Sequence, residues 1–168
     1  MGTGFAPGPI DNFDSSSAVA QRLQLEQRVR SGASWFYWIA GLSILNSIIQ
    51  LSGGNWHFIF GLGITSVVDA VAANLGQAGV VLDLIINVFI AGVFVIFGVF
   101  ANKLNSGAFI TGMVLYGLDG LLSLLAQDWL GLAFHAFALY SMWRGIAALK
   151  ELRSFNEQAG AAQGAVAG

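Results

Sequence analysis

Asp119 and His135 are the two side chains in this sequence best placed to do chemistry together. Each sits inside an apolar segment, and only Ala126, Gln127 and Asp128 join the two segments. Consecutive helices with so short a link pack antiparallel. At a rise of about 1.5 Å per residue, Asp119 falls about 9 Å from one end of its helix. His135 falls about 10 Å from the same end of the next. A carboxylate and an imidazole at one depth can share a proton, relay one or bind a cation. They can also do no more than tie two helices together. Asn87 and Asn46 reach about the same level on neighbouring segments, and Tyr116 lies one turn from Asp119. Asp83 sits nearer the surface. These six residues form the candidate polar cavity.

Other chemistries find less support. His135 and Asp119 are weak metal candidates, with Asp83 and His57 as further donors, because no HExxH motif and no close His pair is present. An intramembrane metal-dependent enzyme is therefore the third reading. Ser123, His135 and Asp119 resemble a nucleophilic trio only in residue type, since no GxSxG motif accompanies them. GxxxxGK[ST] and GxGxxG are both missing, and Gly61-x-Gly63 before Asp69 has no strand to make it a nucleotide loop. There is no cysteine, which excludes disulfides, thiolate ligands and cysteine nucleophiles. No catalytic residue and no cofactor is expected.

The elements that must carry these residues follow from composition. AVILMFWYC residues make up 56% of the 168 and DEKR residues only 10%. A soluble domain carries about 25% charged residues, so this chain cannot cover a soluble surface. Nor does it suit disorder. A net charge of −2 argues against a nucleic-acid partner. An integral membrane protein remains.

Five apolar segments are visible: Trp35–Leu51, Phe58–Ala73, Val80–Phe100, Ala108–Leu125 and Trp129–Ala148. A crossing helix needs about 17–25 mostly apolar residues. Phe58–Ala73 falls short and contains Gly61, Gly63, Thr65, Ser66 and Asp69. The seven basic residues are Arg22, Arg28, Arg30, Lys103, Arg144, Lys150 and Arg153. Five crossings would split them between the two sides. Four crossings, with Phe58–Ala73 left on or dipping into the outer side, put all of them on one side. The positive-inside bias favours the second threading. Asp69, Asp83, Asp119 and Asp128 then gather toward the outer half. A short echo, Phe58-Ile59-x-Gly61 against Phe109-Ile110-x-Gly112, hints at a duplicated hairpin but is too brief to outweigh the charges.

The expected fold is all-α: an integral membrane four-helix bundle with spans at about 35–51, 80–100, 108–125 and 129–148. A short extra helix, re-entrant or interfacial, is expected at about 58–73 between the first and second spans. Residues 1–34 read as a disordered or amphipathic cytoplasmic tail, with Ser15–Ser17 capping a short helix to about Arg30. Residues 151–168 read as a flexible cytoplasmic tail. The protein is placed in the cell (inner) membrane as a multi-pass chain with both termini cytoplasmic. Trp35, Trp38 and Trp143 are expected at the inner interface, and Trp56 and Trp129 at the outer one.

Each span carries one stripe of small or polar residues at helical spacing. The stripes are Ser43, Asn46, Ser47 and Gln50; Asp83, Asn87, Ala91 and Gly98; Gly112, Tyr116, Asp119 and Ser123; and Gly131, His135, Ala138 and Met142. They should face one another and leave Leu, Ile, Val and Phe toward lipid. The functional expectation is a non-enzymatic accessory or scaffold subunit acting through the bilayer and through a membrane-protein partner or a second copy. The alternative is a small oligomeric transporter or channel built on Asp119 and His135.

Overall fold

The computed structural model describes residues 9–51, 64, 68 and 76–167. Among them four helices appear and no strand: α1 (Pro9–Leu51), α2 (Gly76–Asn102), α3 (Ser106–Leu125) and α4 (Trp129–Ala167). Contacts run α1 to α2, α2 to α3, α3 to α4 and α4 back to α1, which closes a bundle. Ile64 and Val68 are both helical. The rest of the expected 58–73 helix lies outside the described residues.

Three stretches, Ser16–Ile49, Leu84–Asn102 and Ser106–Leu125, are long and apolar enough to cross a membrane. The first half of α4 is lower in mean hydropathy because it carries His135 and Arg144. His135 gains a partner from a neighbouring helix, at Asp119.

The two tails differ from expectation. α1 is one unbroken helix of 43 residues, about 64 Å long at the standard rise. Ser15–Ser17 lie within it rather than at its start. Pro9 opens it, where a fixed φ and a missing N–H cost nothing. At the other terminus α4 continues helical to Ala167, where the sequence suggests an irregular end. The extensions lean on each other. Leu25 and Val29 of α1 are buried with Ala148, Leu149 and Leu152 of α4 in one apolar cluster. Two helices that would each be marginal in water are held by this shared seam.

Both short turns pass through the left-handed region at a non-glycine residue, Leu104 (φ 62°) and Gln127 (φ 58°). Each turn has local support. Asn105 caps α3 by accepting from the Ala108 N–H at 3.1 Å. Asp128 caps α4 by accepting from the Gly131 N–H at 2.9 Å. Arg153 reaches back from α4 and donates to the Leu104 carbonyl at 3.1 Å.

The inward stripes coincide with the buried set. In α3 the buried residues are Phe109, Gly112, Tyr116, Asp119, Gly120 and Ser123. Ser43, Asn46, Ser47, Asn87, Ala91, His135, Ala138 and Met142 are buried too. The placement of phenylalanine is a correction. Phe89 and Phe137 face outward, but Phe36, Phe94 and Phe109 form the centre of the core. Phe36 lies 5.7 Å from Phe109 and 6.5 Å from Phe94, centre to centre. Glycines make room for these rings. A Cβ on Gly112 would lie 2.5 Å from Phe36. Where α1 crosses α4, Gly32 and Gly145 meet backbone to backbone, and the Phe109 ring closes over both. Small residues thus set the helix spacing, as in membrane bundles generally.

Candidate functional site

α3 and α4 leave the Ala126–Asp128 turn antiparallel, and their inward stripes bring Asp119 and His135 together. His135 Nε2 lies 2.9 Å from Asp119 Oδ2. Asp119 is 6% exposed and His135 2%. Tyr116 stacks on the imidazole, with centroids 4.4 Å apart and planes 18° apart. Gly120 lets the helices approach, since a Cβ there would lie 3.2 Å from the His135 side chain.

Three polar contacts fix the protons of the pair. His135 Nδ1 lies 2.7 Å from the Gly131 carbonyl. A carbonyl only accepts, so Nδ1 carries a hydrogen. Asp119 Oδ1 accepts from the Ile64 N–H at 2.7 Å. One proton therefore lies between Nε2 and Oδ2. It sits either on the ring, with Asp119 ionised, or on the carboxyl, with a neutral ring. The pair carries no net charge in either form, which lowers the cost of burying it.

The remaining candidates are distributed differently. Asn87 does not join Asp119. Its Nδ2 donates to Ser47 Oγ at 3.1 Å, and Ser47 Oγ donates to the Ser43 carbonyl at 3.2 Å. These bonds tie α2 to α1. Asn46 is buried on the same α1 face. Tyr116 and Asn46 present a hydroxyl and an amide oxygen, respectively, with no hydrogen-bond partner among the described residues. The side chain of Asp83 lies outside the described residues, as do His57, Asp69 and Trp56. Among the described residues the polar set is joined in two places, Asp119 to His135 and Asn87 to Ser47. The cavity that Asp119 borders, about 380 Å³ between α2 and α3, is otherwise apolar, with Ile64, Phe94, Leu118 and Leu122 in its wall.

Among the described residues no group of three His, Asp or Glu side chains is placed to hold a metal ion. Of the tryptophans, Trp38, Trp129 and Trp143 are exposed. Trp35 is half-buried, edge-on to Phe137 at 5.2 Å. It belongs to the α1–α4 packing as much as to any belt. Sequence reasoning missed Ile64, whose backbone supplies the second hydrogen bond to Asp119. A backbone donor leaves no mark in residue type. It also missed Gly32 and Gly145, although small residues on facing stripes were a signal that could have found them.

No protein-family model, curated protein or solved structure matches the chain.

Proposed function

We propose that this protein is a small non-enzymatic membrane subunit, a four-span bundle that works through lipid and protein partners. The Asp119–His135 pair is its internal clasp. The observation that carries this reading is the closed arrangement around the pair. Both ring nitrogens and both carboxylate oxygens are engaged within the chain. A clasp has that arrangement, whereas a site that must release or capture a ligand keeps a group open to it.

Four crossings fit the contacts as well as the charges. Arg153 touches the turn that carries Lys103, and Gly32 touches Gly145. The basic residues of α1, of the α2–α3 turn and of α4 thereby collect at one end of the bundle. With that end cytoplasmic, the positive-inside rule is met and both termini face the cytoplasm. Ile64 lies toward the opposite end, its N–H held by Asp119. The natural sequence has no cysteine, which makes topology simple to read. Single cysteines at Gln21 and Gln158 are expected to resist a membrane-impermeant maleimide in intact cells. A cysteine at Gln127 should label. Labelling of either terminal site from outside would overturn the orientation.

A second reading, a small oligomeric transporter or channel, is favoured by one observation: Asp119 also borders the 380 Å³ cavity. Asp119→Asn separates the two. Asparagine can accept from the Ile64 N–H and donate to a neutral His135 Nε2, so both of these hydrogen bonds persist while the mobile proton is gone. Purified wild type and D119N in liposomes are expected to show the same baseline proton and cation leak. A wild-type flux that D119N abolishes would replace the clasp reading with the transport one.

A further inference from the structure

Arg28, Arg30 and Arg144 differ from Arg22 and Arg153 in their contacts, and Arg28 and Arg144 also share a cavity. Arg22 pairs with Glu26 at 3.3 Å, and Arg153 donates to the Leu104 carbonyl. Among the described residues Arg28 and Arg144 have no ion pair and no hydrogen-bond acceptor. They come from different helices yet line the same cavity, about 310 Å³ in the groove between α1 and α4. Ser31, Trp35 and Trp143 line it with them, and Glu151 supplies a single carboxylate. Gly32, where α1 crosses closest to α4, forms part of the cavity wall.

We infer that this cavity binds the phosphate of an anionic phospholipid headgroup. Two guanidiniums outweigh one carboxylate, so the cavity is cationic. Guanidinium forks match phosphate oxygens bidentately and are weakly hydrated, which suits them to a partly enclosed site. Two tryptophans beside them mark the level at which headgroups lie. Basic pockets between helices on the cytoplasmic side are established as headgroup sites in membrane proteins generally. A soluble phosphate would need the same two arginines but would have no use for the flanking indoles. The inference rests on the reading above that the basic end of the bundle is at the cytoplasmic membrane face.

The test uses the full chain in detergent, with native mass spectrometry to count retained lipid. Wild type is expected to hold one phosphatidylglycerol in preference to phosphatidylcholine. Arg28→Gln with Arg144→Gln should weaken retention about tenfold or more, as expected for two lost charges near a headgroup. Arg22→Gln with Lys150→Gln removes the same charge outside the cavity and should leave retention unchanged. Ala147→Trp keeps every charge, replaces an exposed alanine on the cavity wall and should expel the lipid. Circular dichroism of each variant confirms that the helices remain. Equal loss in both double variants would reduce the effect to general attraction by the basic face and overturn the site. Equal retention of phosphatidylcholine, or displacement of lipid by millimolar inorganic phosphate, would overturn the headgroup assignment. Cysteine labelling distinguishes the two failures: correct topology with arginine-independent lipid binding sinks this inference alone, and reversed topology sinks the membrane reading beneath it.

Discussion

Asp119→Ala should destabilise the protein by about 2–6 kcal/mol, from two buried polar groups left without partners at about 1–3 kcal/mol each. The substitution strands two groups at once. His135 Nε2 loses its partner at 2.9 Å, and the Ile64 N–H loses its acceptor at 2.7 Å. Single polar contacts between membrane helices average only about 0.6 kcal/mol, because the unfolded chain in lipid finds other partners. The larger figure applies here because the stranded ring is enclosed on all sides, with Tyr116 stacked against it. Replacing both members by apolar residues of similar shape, Asp119→Leu with His135→Phe, should recover half of the loss or more. The Phe ring can keep the stack on Tyr116, while the Ile64 N–H stays unpaired. Unfolding midpoints in mixed micelles measure both variants. A double variant no better than Asp119→Ala would show that the two side chains are not coupled.

The second large effect concerns the crossing of α1 and α4. A Cβ on Gly32 would lie 2.6 Å from the Gly145 Cα, and one on Gly145 would lie 2.8 Å from the Gly32 Cα. The obstruction is backbone, so neither can be relieved by a rotamer change. Alanine at either site should cost about 1–3 kcal/mol, the usual range for forcing extra atoms into a packed core. Gly41 and Gly92 supply the contrast, since a Cβ there meets nothing within 4 Å. Alanine at those sites should be neutral or stabilising by about 0.5–1 kcal/mol through helix propensity. Four single variants melted under one set of conditions settle the matter by sign alone. Equal behaviour at all four positions would mean that the close crossing does not hold the bundle together.

The inward stripes were readable because their signal is strong. Ser43, Asn46, Ser47, Asn87, Tyr116, Asp119 and His135 are polar or amphipathic residues at helical spacing in otherwise apolar runs. The depth of Asp119 and His135 was readable from the three-residue link between their helices. The helical extensions were not. Leu25, Val29, Gly32 and Phe36 repeat every three or four residues, but Arg28 and Arg30 intervene and lower the local hydropathy. The partner strip of Leu149 and Leu152 lies at the far end of the chain, and neither strip announces the other. The aromatic core was hidden for a related reason. Phenylalanine is as soluble in lipid as in a protein interior, so residue type does not tell which way Phe36 or Phe109 points. Only the glycines opposite them decide it.

The neutral Asp119–His135 pair also bears on how the chain is made. A lone carboxylate near the middle of a helix opposes its insertion by about 2.5–3.5 kcal/mol. His135 and Arg144 leave the first half of α4 poorly suited to entering lipid by itself. α3 and α4 are adjacent in synthesis and separated by one tight turn, so they can pair before either commits to the bilayer. They would then enter together as a hairpin whose most polar side chains already satisfy each other. On the four-span reading proposed above, the pair would act as an entry permit for the last two helices during biosynthesis and stay afterwards as part of the core.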